Sequence, residues 1–134
     1  MNADRFLAIP FVSKGRSYDG ADCWGLLWLW YRDMLGIELS PHDTVPASAL
    51  RTIGELVARH KRDWLPVTLP RDGDAVVMRA WTQRSTIEDA HVGIVVNRRF
   101  VLHTEEQTGP RLQRLSDPDV KARVIEFRRH PDAA

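Results

Sequence analysis

Three residues of the 134-residue chain could together form a nucleophilic site. Cys23 is the sole cysteine, and His91 and His103 follow it far downstream, in or beside strand-like segments. A single thiol that a fold brings to a histidine is a typical pattern for a cysteine nucleophile served by an imidazole base. By position alone, a buried structural cysteine is an equally open alternative.

Cys23 lies where a helix is predicted to begin. Asp22 is a good helix N-cap, and from Cys23 to about Leu35 the apolar residues recur at helical spacing, until Gly36 ends the pattern. Unpaired backbone N–H groups and the positive end of the helix dipole favour a thiolate at such a position. The sequence therefore predicts a thiol pKa below its ordinary value of ~8.5.

The two histidines can meet only in one register of a predicted hairpin. A three-residue connection over 97–99 pairs Gly93 with His103 and makes His91 and His103 diagonal neighbours on one face. A two-residue turn at 98–99 places them on opposite faces, because a one-residue slip inverts a strand. If they meet, His91 is the expected base and later acid, and His103 the residue that orients it.

Composition sets bounds on the other functions. The net charge of +1, with acids and bases interspersed, predicts no nucleic-acid binding. The single cysteine allows no internal disulfide, and two histidines alone underdetermine a metal site, so no metal or cofactor is predicted. The N-terminus has neither a signal peptide nor a membrane span, which predicts synthesis in the bacterial cytoplasm without membrane insertion.

The order of predicted elements indicates one α+β domain over residues 1–134. A second, more polar helix is predicted after the Cys23 helix, and Val-, Ile- and Phe-rich strands follow. Because no helix separates those strands, we expect an antiparallel sheet. The second helix is predicted over 49–60, and the strands over 74–78, 90–96, 100–104, 111–115 and 120–128.

An ordered set of motifs resembles the NlpC family of papain-like cell-wall peptidases. The set comprises Asp22-Cys23-Trp24-Gly25, the strand 73–77, His91-Val92-Gly93-Ile94-Val95 and Phe100-Val101-Leu102-His103. The resemblance spans roughly residues 8–127. It implies the papain-like NlpC fold, in which the helix carrying the nucleophile packs on an antiparallel sheet of five to six strands.

The resemblance also implies an activity and its residues. Members typically cleave peptidoglycan stem peptides between D-glutamate and a diamino acid such as diaminopimelate. Carried over by motif, Cys23 is the nucleophile, and His91 and His103 complete the catalytic set. Tyr18 resembles the family tyrosine ahead of the nucleophile, and Asp22 the residue that helps bind the free amine of the stem peptide.

Trp24 departs from the usual family pattern and points to one subset of the family. The family often has Ser directly after the cysteine, so Trp24 is expected to contact the substrate instead. The Cys-Trp-Gly form looks like members borne on tails of bacteriophages or phage-like particles, where the tail delivers the enzyme to the host cell wall. Stem peptides and tail-tip proteins are the partners that this implies.

Two other functions stay open at this point. The domain could be a catalytically silent tail-tip subunit whose aromatic residues form an interface; Trp24, Trp28, Tyr31 and Trp81 are the candidates. An acyltransferase or amidase of the same fold is the third possibility. The loop 78–90 is expected to border the site and to contribute to specificity or docking.

Overall fold

The computed structural model describes residues 3–41, 64–79 and 91–133. The predicted helix over 49–60 and the loop positions 80–90, including Trp81, lie outside these residues. Within them, no helix is long and apolar enough to cross a membrane.

The described residues form a mixed α+β fold, as predicted. Their α-helices are α1 (Asp4–Leu7), α2 (Cys23–Trp30) and α3 (Pro118–Arg123). Their strands are β1 (Arg16–Ser17), β2 (Gly20–Ala21), β3 (Leu65–Val67), β4 (Ala75–Met78), β5 (His91–Val96), β6 (Phe100–Glu105), β7 (Gly109–Arg114) and β8 (Val124–Arg129). A six-stranded sheet has the order β3-β8-β4-β5-β6-β7 with every neighbouring pair antiparallel, and β1 and β2 form a separate small hairpin.

Helix α2 begins and ends where its sequence predicts. The Asp22 carboxylate accepts a hydrogen bond of 2.8 Å from the Gly25 N–H, which satisfies one of the donors that a helix start leaves unpaired. A π-helical segment, Tyr31–Leu35, continues the helix to Gly36, which has a left-handed φ of 67°. Glycine adopts that conformation without steric cost and so ends the helix.

The core lies on both faces of the sheet. Helix α2 packs its leucines and Trp30 against residues of β4, β5 and β6 such as Ile94 and Leu102. On the opposite face, Val95 and Val101 pack with Val120 of α3. Because strand residues alternate between faces, His91 and His103 share the face of Val95 and Val101.

The prediction of a continuous strand over 120–128 is wrong. Helix α3 occupies Pro118–Arg123, and β8 begins only at Val124. Pro118 stands at a first-turn position where a missing N–H costs nothing, and it starts the helix. Val120 is buried with Val95 and Val101, so this apolar residue packs on the sheet from a helix and not as part of a strand.

The β5–β6 hairpin adopts the three-residue connection. Val96 pairs with Phe100, Val95 with Val101 and Ile94 with Leu102. In the turn, Asn97 and Arg98 have left-handed φ angles of 53° and 62°, so the turn forms without glycine. The Arg98 N–H donates to Asp72 at 2.7 Å, which holds the turn in place. This register puts the two histidines on one face.

Candidate active site

The thiol of Cys23 lies between the start of α2 and the start of β5. Cys23 is half-buried and packs against the core that lies between α2 and the sheet. The backbone N–H groups of Val92 and Trp24 donate toward the sulfur. Val92 directly follows His91, so the start of α2 and the backbone of β5 meet at the Cys23 sulfur, while the His91 ring lies on the face of β5 that Val95 shares.

Burial raises the pKa of the Cys23 thiol to about 12. The Asp22 carboxylate also disfavours the thiolate, whereas the N–H groups of Val92 and Trp24 lower the pKa by less. The predicted lowering of this pKa is therefore wrong. Loss of water and a neighbouring negative charge outweigh the helix-terminal donors, a balance that depends on tertiary contacts.

His91 and His103 are buried and hydrogen-bonded to one another. His91 Nε2 lies 2.7 Å from His103 Nδ1, with ring centroids 5.0 Å apart. Gly93 permits this approach, because a Cβ there would lie 3.0 Å from the His103 Cβ. Burial lowers the pKa of His91 to about 3, and burial also lowers the pKa of His103. Both rings are therefore neutral at neutral pH.

The histidine pair continues into two residues that sequence reasoning missed. His103 Nε2 lies 2.7 Å from the Gln113 side-chain oxygen, and the Gln113 amide nitrogen donates to Asp119 at 3.1 Å. Gln113 belongs to β7 and Asp119 to α3. The contact of Gln113 with His103 becomes visible only when β7 is paired with β6. The contact of Asp119 with Gln113 becomes visible only with helix α3, which the sequence analysis did not predict.

Glu105 is a further buried group that the sequence analysis missed. Its carboxylate accepts hydrogen bonds of 2.6 and 2.9 Å from Arg123, and Arg111 approaches to 3.4 Å. Burial raises the pKa of Glu105, but the Arg123 hydrogen bond and the nearby charges lower it more, so its pKa lies below the ordinary value. Its position two residues after His103 places it on the same strand face, a signal present in the sequence.

The donors of His91, His103 and Glu105 lie within 4.8 Å of one another, but they do not suit a metal ion. Two imidazole nitrogens on tetrahedral zinc stand about 3.3 Å apart, given Zn–N bonds of about 2.0–2.1 Å. The observed 2.7 Å is a hydrogen-bond distance, with a proton between the rings. Glu105 is engaged by Arg123. The geometry is that of a hydrogen-bonded histidine pair.

The carboxylate of Asp22 is bound by three donors of its own chain. Besides Gly25, the Arg16 guanidinium donates at 2.7 Å and the Lys14 N–H at 3.0 Å. Asp22 is buried. It thus holds the loop before α2 to the helix start, and its predicted contact with a substrate amine stays a prediction.

The Tyr18 hydroxyl is engaged by two charged side chains. It donates to Asp33 and accepts from Arg5. Substrate contact by Tyr18 stays a prediction.

Trp24 lies beside an open cleft of about 240 Å³ that Glu38 and Trp64 also line. Its indole N–H donates to the Ser40 carbonyl at 2.8 Å. Trp28 is held in the same way, by the Leu39 carbonyl at 2.7 Å.

Tyr31 is fully buried. It therefore adds nothing to the aromatic surface of the alternative function, and its hydroxyl donates to the Gly73 carbonyl inside the core.

These features define an α+β protein in which a helix that begins at a cysteine packs on an antiparallel sheet that carries a histidine pair. The sequence profile of the NlpC/P60 family matches residues 8–129. The chain belongs to the NlpC/P60 family. No curated protein sequence matches it.

Solved structures show the same fold at low sequence identity. An NLP/P60-family protein of Staphylococcus aureus, described as similar to a lipoprotein, has 22% identity and a TM-score of 0.64, covering 94% of this chain and 39% of the other. An NlpC/P60 family protein of Bacillus cereus has 18% identity and a TM-score of 0.64, covering 97% and 40%. The NlpC/p60 domain of the peptidoglycan hydrolase SagA has 16% identity and a TM-score of 0.56, covering 94% and 91%. The chain thus spans about two fifths of the first two proteins.

Proposed function

We propose that the chain is a cysteine peptidase that hydrolyses stem peptides of peptidoglycan, with Cys23 as nucleophile and His91 as base and acid. The observation that carries this proposal is the buried 2.7 Å hydrogen bond between His91 and His103, next to the strand residue that donates toward the Cys23 thiol. Membership of the NlpC/P60 family and the fold shared with a domain of a peptidoglycan hydrolase support the substrate class.

The reaction proceeds through a thioester. The sulfur of Cys23 attacks the amide carbonyl while the thiol proton passes to His91, and the Cys23 backbone N–H helps to hold the oxyanion. The imidazolium then protonates the departing amine as the C–N bond breaks, and water hydrolyses the thioester to regenerate the thiol. Because the pKa of Cys23 is high and that of His91 is low, proton transfer accompanies C–S bond formation and does not precede it. The same low pKa makes the imidazolium a strong acid for the amine.

The bond between D-glutamate and diaminopimelate is the proposed point of cleavage. The resemblance of the Asp22-Cys23-Trp24-Gly25 and His91 motifs to the family supports it. Trp24 is proposed to contact the peptide because it directly follows Cys23 in the chain; the cleft that Trp24 lines is not lined by Cys23, His91 or His103.

A place on the tail of a bacteriophage or phage-like particle is proposed as the route to the host wall, with tail-tip proteins as partners. The Cys-Trp-Gly form supports this assignment. Fractionation of the phage or phage-like particles that carry this protein tests the proposed place on the tail. The protein should accompany purified tails and be missing from heads.

Digestion of purified sacculi tests the enzymatic proposal. Wild-type protein should release fragments whose masses correspond to cleaved stem peptides, and Cys23→Ala should release none, since the attacking sulfur is gone. Cys23→Ser is the matched control for shape, because it keeps a polar side chain of similar size. No release by wild type, or equal release by Cys23→Ala, contradicts the proposal.

A catalytically silent subunit of the tail tip is the second candidate. The raised pKa of Cys23 favours it, since a protonated thiol is a poor nucleophile. The sacculus experiment separates the two candidates, because a silent subunit releases nothing in any variant.

A further inference from the structure

A chain of hydrogen bonds runs from the protein surface to the histidine pair. Asp119, exposed on α3, accepts from the Gln113 amide nitrogen at 3.1 Å. The Gln113 oxygen lies 2.7 Å from His103 Nε2, and His103 Nδ1 lies 2.7 Å from His91 Nε2. Gln113, His103 and His91 can each act as a donor or as an acceptor. The direction of every hydrogen bond in the chain therefore depends on Asp119.

Asp119 sets the direction of the chain. An ionised carboxylate only accepts, so the amide nitrogen of Gln113 faces Asp119 and the amide oxygen faces His103. That oxygen requires a hydrogen on His103 Nε2. In a neutral ring the other nitrogen, Nδ1, then carries a lone pair and accepts from His91 Nε2–H. His91 in turn keeps its lone pair on Nδ1.

We propose that Gln113, oriented by Asp119, is a positioning residue that fixes the tautomers of His103 and His91 and thereby places the proton-accepting lone pair of His91 on Nδ1. The value of that placement rests on the proposed function, in which His91 takes the Cys23 proton. The tautomers themselves do not depend on any activity. In the wrong tautomer, His91 Nδ1 holds a hydrogen and cannot accept one from the thiol.

The charged groups beside the pair do not compete for these bonds. Glu105 approaches His103 Nδ1 only to 3.8 Å, outside hydrogen-bond range, and Arg123 occupies its carboxylate. Arg111 approaches Glu105 from β7. Burial lowers the pKa of both histidines, which keeps the rings in the neutral form that a tautomer assignment requires.

Nitrogen-15 NMR of the histidine side chains tests the proposal without substrate. In wild type at pH 7, the spectra should show His91 and His103 with hydrogen on Nε2 and none on Nδ1. The double variant Gln113→Glu with Asp119→Asn keeps an acceptor of equal length toward His103 and a donor toward residue 113, so it should leave both tautomers unchanged. Gln113→Met keeps the length but removes the acceptor, and should give a mixture of tautomers in both rings.

Two further variants separate tautomer control from general structure. Asp119→Asn can donate to Gln113 and so permit the amide to turn over, which should also populate the Nδ1–H forms. Arg114→Gln changes the neighbouring, exposed residue of the same strand and should leave the tautomers as in wild type. Backbone amide spectra of each variant report whether it folds, and if Gln113→Met does not, Asp119→Asn carries the test.

Kinetics of sacculus digestion gives the second readout. Gln113→Met should lower kcat by roughly tenfold or more with little change in KM. This loss should be smaller than the ~10⁴-fold loss of kcat that a trapped wrong tautomer causes in a serine protease. The double variant Gln113→Glu with Asp119→Asn should keep most of the activity. Hydrogen on Nδ1 of His91 in wild type, or unchanged tautomers in folded Gln113→Met and Asp119→Asn, overturns the proposal. If wild type shows the expected tautomers but digests nothing, the positioning role stands and the proposed function fails.

Discussion

Cys23 and His91 form a neutral pair at neutral pH. Burial holds the thiol pKa at about 12 and the imidazole pKa at about 3, so neither group is charged. This differs from the thiolate–imidazolium pair of many cysteine peptidases and resembles a serine nucleophile, which loses its proton during attack. The role of His91 then depends on which of its nitrogens holds the lone pair.

Alkylation by iodoacetamide measures the state of Cys23 directly. Because the thiolate is the reactive form, native protein at pH 7 should react more slowly than free cysteine. Its rate should still rise about tenfold per pH unit above pH 9, where free cysteine approaches its plateau. Mass spectrometry of the Cys23 peptide at timed intervals gives the rates.

Protein unfolded in guanidinium is the control for this labelling. Unfolding removes the burial that raises the pKa, so Cys23 should then react like free cysteine. Native labelling faster than that of free cysteine at pH 7 would show a lowered pKa and contradict the neutral pair.

The strands of the β5–β6 hairpin were predictable from sequence, but its register was not. Their alternation is clear, yet two turn lengths stayed open, and only the structure shows the three-residue connection that pairs Val96 with Phe100. The cap at Asp22 and the end at Gly36 were predictable because each depends on contacts within a few residues.

Helix α3 shows what sequence alone did not reveal. Val120 and Val124 fit a strand pattern, and only packing against the far face of the sheet separates the helix that ends at Arg123 from the strand that follows. The misassigned segment carries Asp119 and Arg123, so the supporting residues of the site were missed with it. The raised pKa of Cys23 was missed because its largest cause is burial of the thiol in the folded protein, which the sequence does not show.

Stability of the whole molecule should depend on pH through the buried site. Below the ordinary histidine pKa of 6.5, unfolded His91 and His103 take up protons that the folded protein refuses, so stability falls as pH drops from 6.5 toward 3. His91 alone should cost about 2 kcal/mol at pH 5. Above the ordinary thiol pKa of 9.0, unfolded Cys23 loses a proton that the folded state keeps, so stability falls again. Urea unfolding between pH 4 and 10 measures the curve.

His91→Gln is the variant that checks the acid side of this curve. It removes one of the protons that the folded protein refuses, so its stability should fall less steeply than that of wild type between pH 6.5 and 5. Equal wild-type stability at pH 7 and pH 5, or an equally steep fall in the variant, contradicts the assignment of neutral buried rings.

The central claim is that Cys23 acts through His91, and the most direct test is the rate of stem-peptide release by a matched pair of glutamine variants. His91→Gln removes the base at the start of the β5–β6 hairpin, whereas Arg99→Gln changes an exposed turn residue at its other end. We expect a loss of about 10²-fold or more for His91→Gln and a wild-type rate for Arg99→Gln. Equal rates for the two variants would contradict it.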